Sequence, residues 1–391
     1  MIITRNQISV SMTSHSVRPY SSAAVNGNFG PKFVTGLSLI ELMVAVVIGL
    51  ISVIVMMQMF AVSEGQKRTT VSGDNALTSG VISLNTLQRE IRQSGWGLSA
   101  VSVIGCNLTG LTAWSTTAPV RLVPVTINPA GISGDTNTDT LMIVTGNGNG
   151  TVEGALIDSP SGGGYAIQGA ESFAVGERVF ASPSARPTSC DLSLTTVTSV
   201  ARPNVNVAAS VAGMQGGRLY SMGMAPSVRV YAIRGGNLAV CDYVASDCSN
   251  DVDWALMAEN VVSMRAVYGR DTNPLQMDAG VDAWDQVIPT PATPVSTNPA
   301  KNTEACGLLR ISAAQIVLVA RSTQPEKTLD WPALTQHVTT QQPSWVRSGV
   351  APIAVPSLPD TWPTWQDFRY KIFETVVPLR NITSAGVESE C

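Results

Sequence analysis

The sequence has few of the residues from which catalytic sites are usually built. Its 391 residues include two histidines, His15 and His337, 13% charged and 6% aromatic residues, and no GxSxG, HExxH or Walker motif. The cysteines form no CxxC pair and lack the spacing of a zinc site. One imidazole outside the first 36 residues is a poor basis for general acid–base catalysis. We therefore expect no enzyme activity, no cofactor and no metal.

Clusters of basic residues are also missing. The net charge is −4, and because the first 36 residues carry Arg5, Arg18 and Lys32 without an acid, the remaining residues carry −7. Proteins that bind nucleic acids neutralise phosphates with clustered Lys and Arg. An acidic body therefore predicts no nucleic-acid partner.

One short acidic segment has part of the pattern of a calcium loop. Asp135, Asn137 and Asp139 alternate as its first ligands do, but Thr140 and Gly146 stand where such a loop needs Gly and Glu. We therefore expect no calcium site. The glycine-rich run 146–150 lacks the third glycine of a dinucleotide-binding motif and predicts a hairpin loop.

A long apolar run near the N-terminus is the main feature that is present. Residues 37–62 read LSLIELMVAVVIGLISVIVMMQMFAV, and Glu41 is their one charged residue. At about 1.5 Å per residue, a helix of this length crosses a bilayer. The basic residues before the run favour a cytoplasmic N-terminus and an exported body, although Lys67 and Arg68 follow the run closely.

Glu41 needs a partner if this run lies in lipid. A charged side chain in a membrane costs about 3 kcal/mol or more unless an opposite charge compensates it. Cleavage between Gly36 and Leu37 would create an α-amine about one helical turn from Glu41, on the same or a neighbouring subunit. The alternative is a glutamate that reaches the lipid head groups.

The stretch KFVTGLSLIELMVAVVIGLI from Lys32 resembles the processing site and first helix of type IV prepilins. This resemblance implies cleavage by a prepilin peptidase between Gly36 and Leu37, N-methylation of Leu37, and a contact of Glu41 in filament assembly. Leu37 replaces the usual phenylalanine, and the leader is long even if translation starts at Met12. The alternative is a secretory signal peptide with its small-x-small site at residues 61–63.

Two later stretches resemble PilW-like minor pilins, namely LQREIRQSGWG from Leu87 and VVPLRN from Val376. This implies a single-pass inner-membrane protein with a periplasmic head that helps to initiate type IV pilus assembly near the pilus tip, and so serves twitching motility and cell adhesion. Implied partners are other minor pilins, the major pilin, the prepilin peptidase, the inner-membrane assembly platform and a large tip adhesin. Two alternatives stay open: a type II secretion pseudopilin, and a membrane-anchored β-rich adhesin or binding protein.

The resemblance and the residue pattern together predict an α+β, pilin-like fold. We expect a leader at 1–36, a transmembrane and filament-core helix at 37–62, an amphipathic continuation at 63–95, and a β-rich extracytoplasmic head at 96–391. The continuation is expected to bury the apolar residues that recur every three or four positions. These residues are Leu77, Val81, Leu84, Leu87 and Ile91.

The head sequence alternates short strand-like runs with turn residues. The clearest run, VRVYAIRGGNLAVCDY from Val228, predicts a hairpin that turns at Arg234-Gly235-Gly236-Asn237. Long apolar strands are expected from Glu259, Leu309 and Phe368. Residues 287–305 are rich in Pro and Thr and predict a surface loop.

Six cysteines follow the apolar run, which predicts disulfides if the head is exported. Sequence alone leaves their connectivity open, with Cys241–Cys248 favoured as a local bridge, and unpaired buried thiols are the alternative. The cysteines are Cys106, Cys190, Cys241, Cys248, Cys306 and Cys391.

Overall fold

The computed structural model describes residues 38–115, 118–148, 150–274, 277–278, 280–288, 301–326, 337–345, 364–383 and 391. It divides into two compact units, Met1–Val62 and Ser63–Cys391. The expected leader, with the expected cleavage site Gly36–Leu37, lies outside the described residues, as do residues 289–300 of the expected Pro/Thr-rich loop.

Helix α1 spans Leu39–Gln93 without a break. Its first part is rich in Leu, Val, Ile and Met, and residues 39–62 are all exposed. The helix ends where the sequence indicates a stop, because Gly95 takes a positive φ of 78° and its N–H donates to the carbonyl of Val144 at 3.0 Å.

The second part of α1 buries a different face from the one expected. Leu77 and Val81 are 41% and 45% exposed, so their predicted burial is wrong. The buried stripe begins instead with four small residues and ends with the predicted Leu87 and Ile91. Small residues prevail because the sheet lies so close that a Cβ on Gly80 would overlap the ring of Phe373. The stripe consists of Ser72, Ala76, Gly80, Ser83, Leu87 and Ile91.

The described head residues form strands in three sheets. In chain order the strands are β1 Asn107–Thr109, β2 Val120–Arg121, β3 Val125–Ile127, β4 Leu141–Thr145, β5 Ala155–Ser161, β6 Gly164–Ile167, β7 Arg178–Ser182, β8 Asp191–Ala201, β9 Asn204–Val207, β10 Arg218–Gly223, β11 Ser227–Arg234, β12 Asn237–Asp242, β13 Ala255–Ala258, β14 Val261–Arg270, β15 Ala283–Asp285, β16 Ile311–Arg321 and β17 Tyr370–Pro378. Two short helices accompany them, α2 Glu304–Leu309 and α3 Arg380–Thr383.

The first sheet closes on itself. Its order is β2-β1-β8-β7-β10-β5-β6-β9, and β9 also pairs with β8. Strands β5 to β10 therefore form a six-stranded ring with its own small core, which includes Ile157, Tyr165 and Leu219. Closure leaves fewer open edges than a flat sheet would.

The second sheet has the order β13-β12-β11-β4-β3. The predicted hairpin is confirmed: Arg234 pairs with Asn237, and Gly235 and Gly236 take the positive φ angles that the turn requires. The hairpin expected at residues 146–150 is wrong, because β4 belongs to this sheet and β5 to the ring. The run therefore connects two sheets.

The third sheet has the antiparallel order β15-β14-β16-β17. Alternate residues of β16 face opposite sides of the sheet. Ile316 and Leu318 enter the main core with Leu87 of α1, whereas Val317 and Val319 pack with Trp345 in a separate cluster. Burial on both sides explains why residues 316–320 of this strand are a continuous apolar run without polar alternation.

Candidate functional site

The site predicted from sequence begins at the first turn of α1. The Glu41 side chain is exposed, and its Oε2 accepts a hydrogen bond from the backbone N–H of Ser38 at 3.4 Å. A carboxylate at this position compensates the unpaired N–H groups and the positive end of the helix dipole. Leu37, the expected source of the partner amine, lies outside the described residues.

The apolar surface of α1 continues from Glu41 to Val62. Its large side chains are about half exposed or more, for example Leu42 at 56% and Phe60 at 74%. The hydroxyl of Ser52 donates to the carbonyl of Ile48 at 2.8 Å and so needs no outside partner. Among the described residues, α1 is the one helix that is long and apolar enough to cross a membrane. It is compatible with membrane anchoring.

Polar contacts join the second part of α1 to strands far away in sequence. The hydroxyl of Ser72 accepts from the N–H of Gln324 at 3.0 Å and lies 3.1 Å from the hydroxyl of Thr323. Both partners follow β16 directly. Ser72 is thus small enough to pack closely against the sheet, and its buried hydroxyl has hydrogen-bond partners.

Glu90 forms the strongest electrostatic contact between α1 and the second sheet. Its carboxylate pairs with Arg229 and accepts a hydrogen bond of 2.6 Å from the Tyr231 hydroxyl, both on β11. The charge of Glu90 raises the pKa of Arg229. Burial first, and then the bond to Glu90, raise the pKa of Tyr231. Both groups therefore stay protonated at neutral pH, and the contact persists there.

The last turn of α1 is capped by Asn381, a residue that lies 288 positions after Gln93 in the sequence. The Nδ2 group of Asn381, in α3, donates to the carbonyls of Gln93 at 3.2 Å and Ser94 at 2.8 Å. The hydroxyl of Ser94 donates to the carbonyl of Ile91 at 2.7 Å. These bonds satisfy carbonyls that a helix end leaves unpaired.

Three disulfides join the six cysteines. Cys106–Cys190 lies at the start of the parallel pair β1–β8, where Asn107 is opposite Asp191. Cys241–Cys248, the bridge that the short spacing favoured, closes a small loop after β12. Cys306–Cys391 links helix α2, which contains Cys306, to Cys391. The described residues contain no free cysteine.

A buried ion pair lies beside the third disulfide. Arg310 and Asp271 are 2% and 0% exposed, with Arg310 Nη1 3.3 Å from Asp271 Oδ1. Arg310 also donates to the carbonyls of Asn273 and Cys391, each at 2.8 Å. Buried charges are tolerated where hydrogen bonds complete their coordination, as here.

The residues that suggested other chemistry have structural partners. Both carboxylate oxygens of Asp135 accept from the backbone of the hairpin turn, at 3.0 and 2.8 Å. Asp139 accepts from Arg265 and the backbone N–H of Ala266. His337 Nδ1 lies 3.1 Å from Asp367 Oδ1. No group of three or more His, Cys, Asp or Glu suited to a metal occurs in the described part of the chain.

Sequence reasoning singled out Glu41 but missed Glu90, Asn381, Arg229 and Tyr231. Glu90 and Asn381 fall inside the two stretches that carried the minor-pilin resemblance. Sequence periodicity does not reveal these residues, because each contacts a residue more than 130 positions away in the sequence.

These features define a protein with an apolar N-terminal helix and a large β-rich region, an arrangement compatible with the α+β class. The model of the family described as Type IV Pilus-assembly protein W matches residues 239–381. The match includes strands β13 to β17 and Asn381. It supports a PilW-like protein of type IV pilus assembly, a structural function that implies contact with other pilus components. No curated protein and no solved structure matches the chain.

Proposed function

We propose that this chain is a minor pilin that inserts into the inner membrane and helps to initiate type IV pilus assembly near the pilus tip. One observation carries the proposal: the exposed apolar part of α1 bears a single carboxylate, Glu41, in its first turn. The pilus-assembly family match at residues 239–381 supports the same function independently, because that match does not include α1.

The processing step follows from the position of this carboxylate. A prepilin peptidase cuts between Gly36 and Leu37, and the new amine of Leu37 is methylated and remains cationic. The amine then lies about 6 Å along the helix axis from Glu41. An ion pair with the amine of a neighbouring subunit sets the stagger between the two helices in the filament core.

Mass spectrometry of the intact protein from membranes tests the processing step. We expect a mature chain that starts at Leu37 and carries one N-methyl group. A chain that starts at Glu64, as secretory cleavage after Ser63 would produce, contradicts the proposal. Retention of the leader contradicts it as well.

Glu41→Gln tests the assembly contact, because it keeps the shape of the side chain and removes its charge. We expect the variant to reach the membrane but to enter sheared pili at about one tenth of the wild-type level. Glu64→Gln is the matched control, because Glu64 lies on the same helix beyond the apolar run and pairs with Arg68 one turn away. Equal incorporation of both variants contradicts the proposal.

Partner classes follow from the same role: other minor pilins, the major pilin, the assembly platform and a large tip adhesin. Deletion of the gene should reduce surface pili and twitching. A deletion strain that loses exoprotein secretion but keeps its pili would point to a type II pseudopilin instead. Unchanged piliation together with loss of surface attachment would point to a membrane-anchored adhesin.

A further inference from the structure

Strand β13 is an open edge of the head. It is the outermost strand of the second sheet and pairs with β12 on one side. Among the described residues, no strand pairs with its other side. Ala255 and Leu256 are exposed, with Leu256 at 60%. An open edge presents backbone N–H and C=O groups to any extended chain that approaches it.

This edge lacks most of the devices that block such pairing. Its residues Ala255–Ala258 include no Lys, Arg or Pro. A register shift leaves Met257 unpaired, but Ala255 and Leu256 remain opposite Val240 and Ala239. Val252, just before the strand, is 90% exposed. Exposed apolar side chains on an edge without Lys, Arg or Pro are typical of a surface that receives a partner.

A pocket of about 560 Å³ lies beside the edge. Ala239, Trp254 and Leu256 form its apolar part, and polar residues such as Asp135, Asn237 and Asp251 form the rest. Two contacts fix the position of Trp254, which lines the pocket. The Trp254 indole N–H donates to the carbonyl of Cys248 at 3.1 Å, and the guanidinium of Arg234 lies 4.1 Å from the ring centre. The pocket is therefore preformed and suits a side chain from an added strand.

The chain segment that contains the edge carries charge of one sign. Residues 242–259 contain five acids and no Lys or Arg. Arg234 compensates Asp251, which leaves Asp253 before the strand and Glu259 after it without an ion pair in the described structure. Asp253 ends a short 3-10 helix, Asp251–Asp253, and Glu259 begins the turn after Ala258, so the two carboxylates flank the four residues of β13.

We propose that β13 receives an extended segment of a partner protein, which adds a strand to the second sheet. The segment places an apolar side chain against Leu256 and Trp254 at the pocket, and it carries a basic side chain near each end, toward Asp253 and Glu259. This docking surface goes beyond the proposed role of α1 in pilus assembly and does not depend on it.

Peptide binding to the full-length chain in detergent tests the proposal. The probe is a labelled peptide of alternating Val and Thr with a lysine at each end. A second peptide carries glutamates in place of the lysines. We expect the lysine peptide to bind at least about tenfold more tightly, to lose affinity as salt rises, and to protect the amides of 255–258 from hydrogen exchange. Equal affinity, or no binding of the lysine peptide, overturns the proposal.

Variants locate the binding surface. Leu256→Lys is expected to weaken binding about tenfold, because it places a repelling charge on the edge. Val175→Lys, at a side chain that is 57% exposed near β7, is the control and should bind as the wild type does. A double variant, Asp253→Lys with Glu259→Lys, should prefer the glutamate peptide. Unchanged preference or unchanged affinity of Leu256→Lys overturns the proposal.

Sedimentation distinguishes a partner protein from a second copy of this chain. We expect the full-length wild type and Leu256→Lys to have the same mass in detergent. A wild-type dimer that Leu256→Lys converts to a monomer would overturn the proposal of a foreign partner, because the edge would then pair with itself.

Discussion

Gly73 and Gly80 lie two turns apart in α1 but in opposite surroundings. A Cβ on Gly73 would meet nothing within 4 Å, whereas a Cβ on Gly80 would overlap the ring of Phe373. Glycine in a helix interior costs about 0.5–1 kcal/mol relative to alanine. Its presence at position 80 therefore has a packing reason that position 73 lacks.

This difference predicts opposite effects of one substitution. Gly73→Ala should raise the free energy of unfolding by up to about 1 kcal/mol. Gly80→Ala should lower it by about 1–3 kcal/mol, because the added methyl group forces Phe373 away from the helix. Denaturant unfolding of the two variants, with circular dichroism as the signal, checks the prediction. A stabilised Gly80→Ala would show that the helix does not lie this close to β17.

Asp367 makes the stability of the head depend on pH. Burial raises the pKa of its carboxyl, but the backbone N–H of Thr364 at 2.7 Å and the imidazole of His337 at 3.1 Å outweigh burial. The net result is a pKa below the ordinary value. A carboxyl with a lowered pKa in the folded state stabilises that state at pH values above its unfolded pKa of about 3.9.

We therefore expect the stabilisation by Asp367 to disappear in acid. The wild type should unfold at a higher denaturant concentration than Asp367→Asn at pH 6. This difference should shrink as the pH falls below about 4 and through the lowered folded pKa, where the carboxyl is protonated. Asp158→Asn, on the exposed part of β5, is the control. A difference that stays constant down to pH 2 would show that the charge of Asp367 contributes nothing.

At the scale of elements, the strands that sequence predicted best are buried on both faces or end in a marked turn. Strand β16 contains an apolar run at residues 316–320, and the hairpin β11–β12 carries two glycines at its turn. Both signals are local, so a short window of sequence contains them. On α1 the sequence correctly predicted the buried Leu87 and Ile91 and the partly buried Leu84. It did not predict the small residues of the stripe, of which Gly80 is required by the close approach of Phe373 on β17.

Two of the disulfides should differ in their effect on stability. Cys306–Cys391 spans 85 positions, whereas Cys241–Cys248 spans 7. In the chain-entropy model a longer closed loop restricts the unfolded chain more. Replacement of both Cys306 and Cys391 by Ser should cost about 4.6 kcal/mol, and replacement of both Cys241 and Cys248 about 2.4 kcal/mol.

Urea unfolding of the two double variants under non-reducing conditions measures this order. The two variants can be compared directly, because each replaces two buried cysteines by serine. A larger loss for the short loop would show that the small loop after β12 matters through its native contacts, such as the bond to Trp254, more than through chain entropy.

At the scale of the whole molecule, the chain combines a lipid-compatible helix with a polar head. The first unit exposes apolar residues from Leu39 to Val62, whereas the second contains the three sheets and all three disulfides. A large exposed apolar surface is not stable in water. This surface is compatible with membrane anchoring.

This combination predicts how the protein partitions. The full chain should stay in the membrane fraction after carbonate extraction and require detergent for release. A chain that begins at Ser63 should appear in the soluble periplasmic fraction when it is exported by a cleavable signal, and it should retain its disulfides. Release of the full chain by carbonate alone would contradict membrane insertion.

The sequence by itself determined helix α1, the one carboxylate of its apolar run, the stop of the helix at residues 94–95 and several strands. Each of these depends on neighbouring residues or on a short sequence period. Only the tertiary structure decided the buried face of α1, the pairing Cys106–Cys190, the closure of the ring through β8 and β9, and the cap that Asn381 places on the helix. These features join residues that are far apart along the chain or depend on what packs against them. The stability of each feature depends on distances in the folded chain, and a local sequence pattern does not specify those distances.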